Sequence, residues 1–369
     1  MFLLLNIIIG FLYVFLITLF IIGWLKIHSF KSNKNFVSDI KISIIVAARN
    51  EENNIKNLIE DIINQDLSKD LYELIIINDF SEDDTKHIIE KYSENYHNIL
   101  LLNSDSKGKK AALQTGISQA KGQLIATTDA DCRIGNEWLS TIYSYYKKYN
   151  PKMIVAPVAF FQKDKLLSFN NLQALEFLSL IISGAGAIGL HKPIMCNGAN
   201  LIFEKKVYEQ LNDPFSNKYA SGDDMLFMLK IKKLYPKKIL FLKSQKAIVY
   251  TYAQKTLKSF VNQRIRWTSK SKAYKDFDLI FTSILILTIN LLLFINLIIS
   301  IFNINYFSNF LIILLIKSIP DFIFLLVTSN FFSSKKLLIL FVPLQLFYFI
   351  YIVIIGFIGN FAKFKWKNR

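Results

Sequence analysis

The chain has 369 residues, of which 52% are apolar and 20% charged, and its formal net charge is +16. This hydrophobicity excludes an intrinsically disordered chain. The only cysteines are Cys132 and Cys196, which excludes a disulfide scaffold, and we expect both to be reduced packing residues. The apolar residues are segregated into the two ends of the chain, so the sequence predicts a soluble block between membrane segments.

The N-terminal apolar run covers residues 1–25 and contains no charged side chain. A transmembrane helix needs about 20 such residues. A cleaved signal peptide is the alternative, but it has a basic start and a small-residue cleavage site, whereas bulky Trp24 ends this run. Four basic residues follow: Lys26, His28, Lys31 and Lys34. We therefore predict an uncleaved anchor, with the following block in the cytoplasm by the positive-inside rule.

The C-terminal apolar region, residues 277–361, contains only five charged side chains. It predicts three segments, near 279–302, 307–332 and 337–361. The middle segment contains Lys317, Pro320 and Asp321, which predicts either a kinked span or a re-entrant element, because buried charge and proline are both costly there. These alternatives put the basic tail, residues 362–369, on opposite sides of the membrane.

The block between the membrane segments alternates between two kinds of pattern. Short β-branched runs occur at residues 42–48, 71–77, 98–102 and 123–128, and helical spacing of apolar residues separates them. This alternation predicts an α/β domain with a parallel sheet and helices on both faces. Ligands of such sheets bind at the carboxyl ends of the strands.

Polar clusters follow three of these strands. Asn50-Glu51 follows the first strand, Asn78-Asp79 the second, and Asp129-Ala130-Asp131 the fourth. Two carboxylates at this spacing suit a divalent cation, and Mg²⁺ prefers one or two carboxylates plus substrate phosphates. Lys107-Gly108-Lys109-Lys110 opens a helix, where amides and ammonium groups suit a phosphate, although a solvated basic turn is the alternative. These residues predict a metal–diphosphate site.

Seven short motifs follow one another along the block: SIIVAARNEE (43–52), INDFSEDDT (77–85), KGKKAAL (107–113), TTDAD (127–131), CNGANLIFEK (196–205), SGDDM (221–225) and QRIRW (263–267). In this order they resemble membrane-bound family 2 glycosyltransferases with the GT-A fold. The resemblance covers about 41–270. It implies a GT-A domain, residues 41–275, flanked by transmembrane helices. One departure is Asn78, where the family often has Asp, and we expect it to affect donor preference more than activity.

The resemblance assigns roles by motif position. The implied nucleotide-sugar contacts are Ala48, Glu51, Asp79, Lys109 and Asp129, with Asp79 reading the base. The implied metal ligands, for Mg²⁺ or Mn²⁺, are Asp129 and Asp131. The implied catalytic residues are Asp224, as general base, and its neighbour Asp223. The implied acceptor and diphosphate contacts are Gln263, Arg266 and Trp267. Two structural alternatives stay open, a helix N-cap for Asp223-Asp224 and a membrane-interface anchor for Trp267.

Two further segments combine apolar and polar residues. Residues 254–275 are basic with interspersed apolar residues, which predicts a helix at the bilayer surface that contacts anionic lipids. Residues 166–190 allow a similar surface role or core packing. Membrane lipids and a diphosphate account for the net positive charge, and the sequence has no nucleic-acid-binding motif.

The sequence thus predicts an integral-membrane, metal-dependent, inverting glycosyltransferase, in a bacterial inner or plasma membrane. It would transfer a sugar from a nucleotide-sugar to a lipid-linked or saccharide acceptor in cell-envelope or polysaccharide synthesis. One alternative is a processive polysaccharide synthase, because the QxxRW pattern is associated with processive members of the family. Another is a non-catalytic export component with a glycosyltransferase-like binding domain.

Overall fold

The computed structural model describes residues 2–32, 40–216 and 223–361. The predicted basic tail, Lys34 and the start of the SGDDM motif lie outside this range. Twelve α-helices are assigned within it: α1 Phe2–Lys26, α2 Ile55–Ile63, α3 Thr85–Asn95, α4 Lys109–Gln119, α5 Trp138–Tyr149, α6 Phe169–Gly189, α7 Lys205–Glu209, α8 Asp223–Leu234, α9 Leu257–Thr268, α10 Phe277–Phe302, α11 Asn305–Ser329 and α12 Phe341–Phe361.

Ten strands are assigned in the same ranges: β1 Ile42–Ala48, β2 Tyr72–Asn78, β3 Ile99–Asn103, β4 Leu124–Asp129, β5 Arg133–Ile134, β6 Met153–Val155, β7 Val158–Phe160, β8 Leu201–Glu204, β9 Ile239–Phe241 and β10 Val249–Thr251. The chain forms two compact units. The sheet unit comprises residues 27–161 and 195–252. The helical unit comprises the residues up to 26, residues 162–194 and those from 253 onward.

The sheet unit is built on a seven-stranded sheet with the strand order β3-β2-β1-β4-β8-β6-β9. β3, β2, β1 and β4 are parallel, and β8 is antiparallel to both β4 and β6. β2 is buried along its whole length, as expected of a β-branched strand covered on both faces. A smaller sheet has the order β5-β10-β7. The predicted α/β domain with a largely parallel sheet is confirmed.

The helical unit contains five helices that are long and apolar enough to cross a membrane, among the residues that the structure describes. They are Leu4–Lys26, Phe169–Gly189, Phe277–Phe302, Tyr306–Ser329 and Lys335–Gly359. Most side chains of Phe169–Gly189 are buried. Residues 162–194 and 253–275 group with the apolar helices, whereas the sequence analysis includes them in the predicted GT-A domain, residues 41–275.

The charged residues of the middle C-terminal segment are paired. α11 continues through Pro320 as one helix. Lys317 is buried, and its Nζ donates to Asp321 Oδ2 at 2.8 Å and to Gln345 Oε1 at 2.8 Å. Tyr13 of α1 donates to Asp321 Oδ1 at 2.7 Å. The pairing compensates for the burial of Lys317 and the partial burial of Asp321 in an apolar region.

Candidate active site

The carboxyl ends of three neighbouring strands meet at one edge of the large sheet. Ala48 at the end of β1 pairs with Asn78 at the end of β2, and Ala47 pairs with Asp129 at the end of β4. Parallel pairing aligns these ends because the strands run in one direction. The sequence-predicted residues Ala48, Asp79 and Asp129 therefore lie at the same edge.

Asp79 is buried and held by main-chain contacts. Its amide donates to the carbonyl oxygen of Ala48 at 2.8 Å, and its Oδ1 accepts from the Gly108 amide at 2.8 Å. Among the described residues Oδ2 has no hydrogen-bond partner, although it is buried. A buried acceptor without a partner is costly, so this oxygen is suited to a donor on a bound ligand.

Asn78 maintains the turn that places Asp79. Its Oδ1 accepts from the Ser81 amide at 3.1 Å, and its Nδ2 donates to Asn103 Oδ1 at 3.3 Å. Phe80, inside the turn from Asn78 to Ser81, has a φ of 54°, which is unusual for a bulky side chain. The amide of Asn78 can donate to Asn103, whereas an ionised Asp has no proton to donate.

Asp129, Asp131 and Glu51 crowd negative charge at the sheet edge. Lys109, at the start of α4, forms an ion pair with Asp129 Oδ1. Burial raises the pKa of Asp131 to about 6, with further contributions from the charges of Asp129 and Glu51, while Lys109 opposes the rise. A cation bound between carboxylates in this arrangement reduces their electrostatic repulsion. Asp129 and Asp131 offer oxygen ligands that fit Mg²⁺ or Mn²⁺, with the remaining ligands coming from phosphates.

Asp224 is connected to this edge by a short chain of hydrogen bonds. Its Oδ2 accepts from the Gly198 amide at 3.0 Å, and its Oδ1 accepts from the Met225 amide at 2.8 Å. The carbonyl of Gly198 in turn accepts from Thr127 Oγ1 of β4 at 2.7 Å. Thr127 precedes Asp129 by two residues. Asp223 begins α8, and its side chain lies outside the described part of the structure.

Gln263, Arg266 and Trp267 lie on α9, which belongs to the helical unit. All three are half-buried. Thr256 and Ser259 cap the start of this helix reciprocally, which fixes where it begins. Gln263 accepts a hydrogen bond from Arg264, and Trp267 stacks on the same guanidinium. The indole of Trp267 is thus engaged within its own unit, also near Phe177 at a ring distance of 6.3 Å.

Sequence reasoning missed the buried ion pair between Arg264 and Glu176. Arg264 is 3% exposed, and it contacts a carboxylate that lies 88 positions earlier in the chain. A signal was present, since Glu176 is the only acidic residue in the apolar run 169–189. Its partner could not be chosen from sequence, because several basic residues lie in the later basic segment.

Part of the chain matches a known protein family. Residues 43–211 match the family model described as glycosyl transferase family 2. Glycosyltransferase AglE of Haloferax volcanii is 28% identical over 191 residues, which cover 50% of this chain and 59% of AglE. Dolichyl-phosphate beta-glucosyltransferase ALG5D of Trichomonas vaginalis is 40% identical over 99 residues, which cover 25% of this chain and 30% of that protein. The chain thus spans about three fifths or less of the length of these relatives.

One solved structure shares the fold over nearly the whole chain. It is the mannosyltransferase PcManGT from Pyrobaculum calidifontis, in complex with GDP-Man and Mn²⁺. The two align with a TM-score of 0.60 at 15% sequence identity, covering 98% of this chain and 99% of the other. At this level of identity the likeness concerns the fold.

Proposed function

Residues 43–211 belong to glycosyl transferase family 2, and from this premise we propose an inverting transfer of a sugar from a nucleotide-sugar to a lipid-linked or saccharide acceptor. The predicted family and its GT-A fold, flanked by apolar helices, are confirmed. The family match and the relatives support glycosyltransferase activity for this chain. Its metal dependence, stereochemistry, acceptor and membrane placement form the rest of the proposal.

The observation that carries the proposal is the grouping of Asp79, Asp129, Asp131 and Asp224 around one sheet edge. In the proposed reaction, Asp79 Oδ2 accepts a hydrogen bond from the nucleobase. Lys109 neutralises phosphate charge. Asp224 takes the proton of the acceptor hydroxyl as that oxygen attacks the anomeric carbon from the face opposite the departing nucleoside diphosphate. Attack from that face inverts the configuration.

Asp129 and Asp131 would hold the divalent cation. When bound, the cation offsets the charge that develops on the departing diphosphate. The crowding of carboxylates described above supports this assignment, because their mutual repulsion falls when a cation binds. The neighbour PcManGT was solved with Mn²⁺, which favours the same choice here.

A lipid-linked acceptor agrees with the composition of the helical unit. Its apolar helices expose large hydrophobic side chains, among them Phe11, Phe281 and Phe347. Such exposure is expected of helices that face lipid. A relative that acts on dolichyl phosphate supports an acceptor of the same chemical class. Within this proposal, Gln263, Arg266 and Trp267 contact the acceptor and the diphosphate.

The test is transfer by membranes that contain the protein. Membranes are incubated with radiolabelled UDP-glucose, UDP-GlcNAc or GDP-mannose, each with Mg²⁺ or Mn²⁺, and products are extracted into organic solvent. We expect one donor to label the lipid fraction, and EDTA to abolish the label. Label that appears only in a water-soluble polymer would favour the processive alternative. No transfer from any donor, with nucleotide binding retained, would contradict an enzymatic role under these conditions.

A further inference from the structure

Arg264 lies inside the QRIRW segment but has no role in the assignments above. Its guanidinium is 3% exposed and forms an ion pair with Glu176 of α6, which is 4% exposed. Tyr351 of α12 donates to the other carboxylate oxygen at 3.4 Å. A buried pair of this kind holds one geometry, because separating either charge from its partner leaves it without solvation. Arg264 is therefore a fixed point on α9.

The fixed guanidinium determines which way the Gln263 amide faces. Arg264 Nη1 donates to Gln263 Oε1 at 2.8 Å. A guanidinium has only donors, so the atom facing it must be the amide oxygen. The amide nitrogen of Gln263, with its two protons, is left for another acceptor. In this orientation Gln263 recognises an oxygen, and an anionic oxygen gives the stronger bond.

The same guanidinium also holds the Trp267 ring. Its central carbon lies 4.1 Å from the centroid of the Trp267 ring and 4.7 Å from that of Phe260. Cation–π contacts at these distances are attractive and strengthen when water is excluded. Phe260 in turn packs on Phe169 of α6 and Tyr351 of α12, with ring distances of 5.6 and 5.5 Å. Arg264 thus fixes the orientation of two of the three motif side chains, Gln263 and Trp267.

We propose that Arg264, held by Glu176, is the positioning residue of the QxxRW motif. It directs the Gln263 amide nitrogen toward an anionic phosphate oxygen of the substrate and fixes the plane of Trp267. The inference rests on the proposed function, which includes a contact between Gln263 and the diphosphate. Arg264 itself acts through Gln263 and Trp267, without contact to substrate.

The main test replaces both charges together. Glu176→Met with Arg264→Met keeps an apolar side chain at each site and leaves no buried charge alone, so the fold is expected to tolerate it. Transfer is measured in membranes with radiolabelled UDP-glucose and GDP-mannose plus Mn²⁺. We expect kcat to fall by about 10²-fold, since small displacements of positioning groups cost this much. Thermal midpoints of the purified variants measure folding separately.

A matched control uses the ion pair between Lys317 and Asp321 of the helical unit. Lys317→Met with Asp321→Met removes a pair whose side chains are 1% and 17% exposed and whose hydrogen bonds go to Gln345 and Tyr13, with none to a motif residue. We expect its turnover to stay within about threefold of the parent, because the pair does not hold Gln263 or Trp267. Equal losses in both double variants would show general destabilisation and overturn the proposal.

A mutant cycle with Gln263→Ala separates this inference from the function it rests on. If Arg264 acts through Gln263, the alanine change lowers turnover in the parent but adds less than about threefold in the double-Met background. Full additivity would overturn the positioning role alone. If Gln263→Ala leaves turnover of the parent unchanged, both the proposed contact of Gln263 with the diphosphate and the positioning role of Arg264 are overturned.

The conservative replacement Arg264→Lys distinguishes a positioning role from a purely structural one, because stability and kcat are measured separately. In Arg264→Lys the ammonium retains charge toward Glu176 but lacks a second planar arm to reach Gln263. We expect the thermal midpoint to recover most of the loss seen in Arg264→Ala, while kcat stays low. Recovery of kcat along with stability would show that Arg264 only stabilises the unit.

Discussion

The carboxylates at the sheet edge differ in how each side chain is held. Asp79 and Asp224 accept hydrogen bonds from main-chain amides, so their orientation is fixed before any ligand binds. Asp131 is placed differently, since it is buried among like charges that raise its pKa. Preoriented acceptors suit recognition and proton transfer, whereas crowded carboxylates suit a cation. These surroundings agree with the proposed division of roles among the three carboxylates.

Asp131→Asn is predicted to abolish metal-dependent activity without unfolding the protein. The amide removes an anionic ligand, so Mn²⁺-dependent binding of UDP and GDP should be lost together with transfer. Because burial and like charges disfavour the ionised carboxylate, its neutral replacement should keep or raise the thermal midpoint. Asp70→Asn, at an exposed position, is the control. Full transfer by Asp131→Asn, or in EDTA, would contradict the assignment.

Asp224→Asn is predicted to separate chemistry from binding. Loss of a general base lowers turnover by about 10²–10⁴-fold. Donor binding, which we propose depends on Asp79 and the Asp129-Asp131 pair, should change little. Single-turnover measurements with bound donor, compared with equilibrium binding of the nucleotide, test this directly. A parallel fall in donor affinity with unchanged turnover of bound donor would make Asp224 a binding residue.

Helix packing in the helical unit depends on small residues at one crossing. A Cβ at Gly23 of α1 would lie 1.9 Å from the carbonyl oxygen of Gly186, and one at Gly189 would lie 2.0 Å from that of Gly23. α1 and α6 therefore approach backbone to backbone. Close approach of this kind needs glycine, and it is common between apolar helices.

Gly189→Ala is predicted to destabilise the helical unit. The added methyl would overlap a main-chain oxygen that cannot move alone, and overpacking costs about 1–3 kcal/mol. We expect a lower thermal midpoint in detergent and reduced transfer in proportion to the folded fraction. Gly135→Ala is the matched control, because its nearest neighbour to the added Cβ is 4.0 Å away. Equal midpoints for the two variants would show that α1 and α6 can separate without cost.

For the whole molecule, the charge pattern predicts which side of the membrane the sheet unit occupies. The apolar helix α1 ends at Lys26, with further basic residues directly after it. Cytoplasmic flanks carry such residues, and a cytoplasmic sheet unit would have direct access to nucleotide-sugars made there. The five apolar helices are compatible with membrane association.

A cysteine at His87 provides the topology test. His87 is exposed on α3, and both native cysteines are buried, so the introduced thiol is the accessible one among described positions. We expect a membrane-impermeant maleimide to label it in opened membranes and to leave it unlabelled in intact cells. Labelling in intact cells would place the sheet unit outside and remove its supply of cytoplasmic donor.

The sequence by itself determined the elements that carry their own pattern. β-Branched runs and helical spacing indicated the alternating strands and helices of residues 42–128, because hydrophobic periodicity is a local property. It also placed the polar residues after β1, β2 and β4 at one edge, since parallel strands share a direction. The apolar runs of α1 and α10–α12 could be read from length and composition alone.

The tertiary structure decided the contacts between distant segments. The insertion of β8 beside β4 brings Gly198 to Thr127 and so connects Asp224 to the edge that carries Asp129. The pairing of Glu176 with Arg264 is equally nonlocal. Neither follows from sequence, because a charged or polar residue has many possible partners along the chain. Only the packing of strands and helices brings one of them within hydrogen-bond distance and excludes water from the pair.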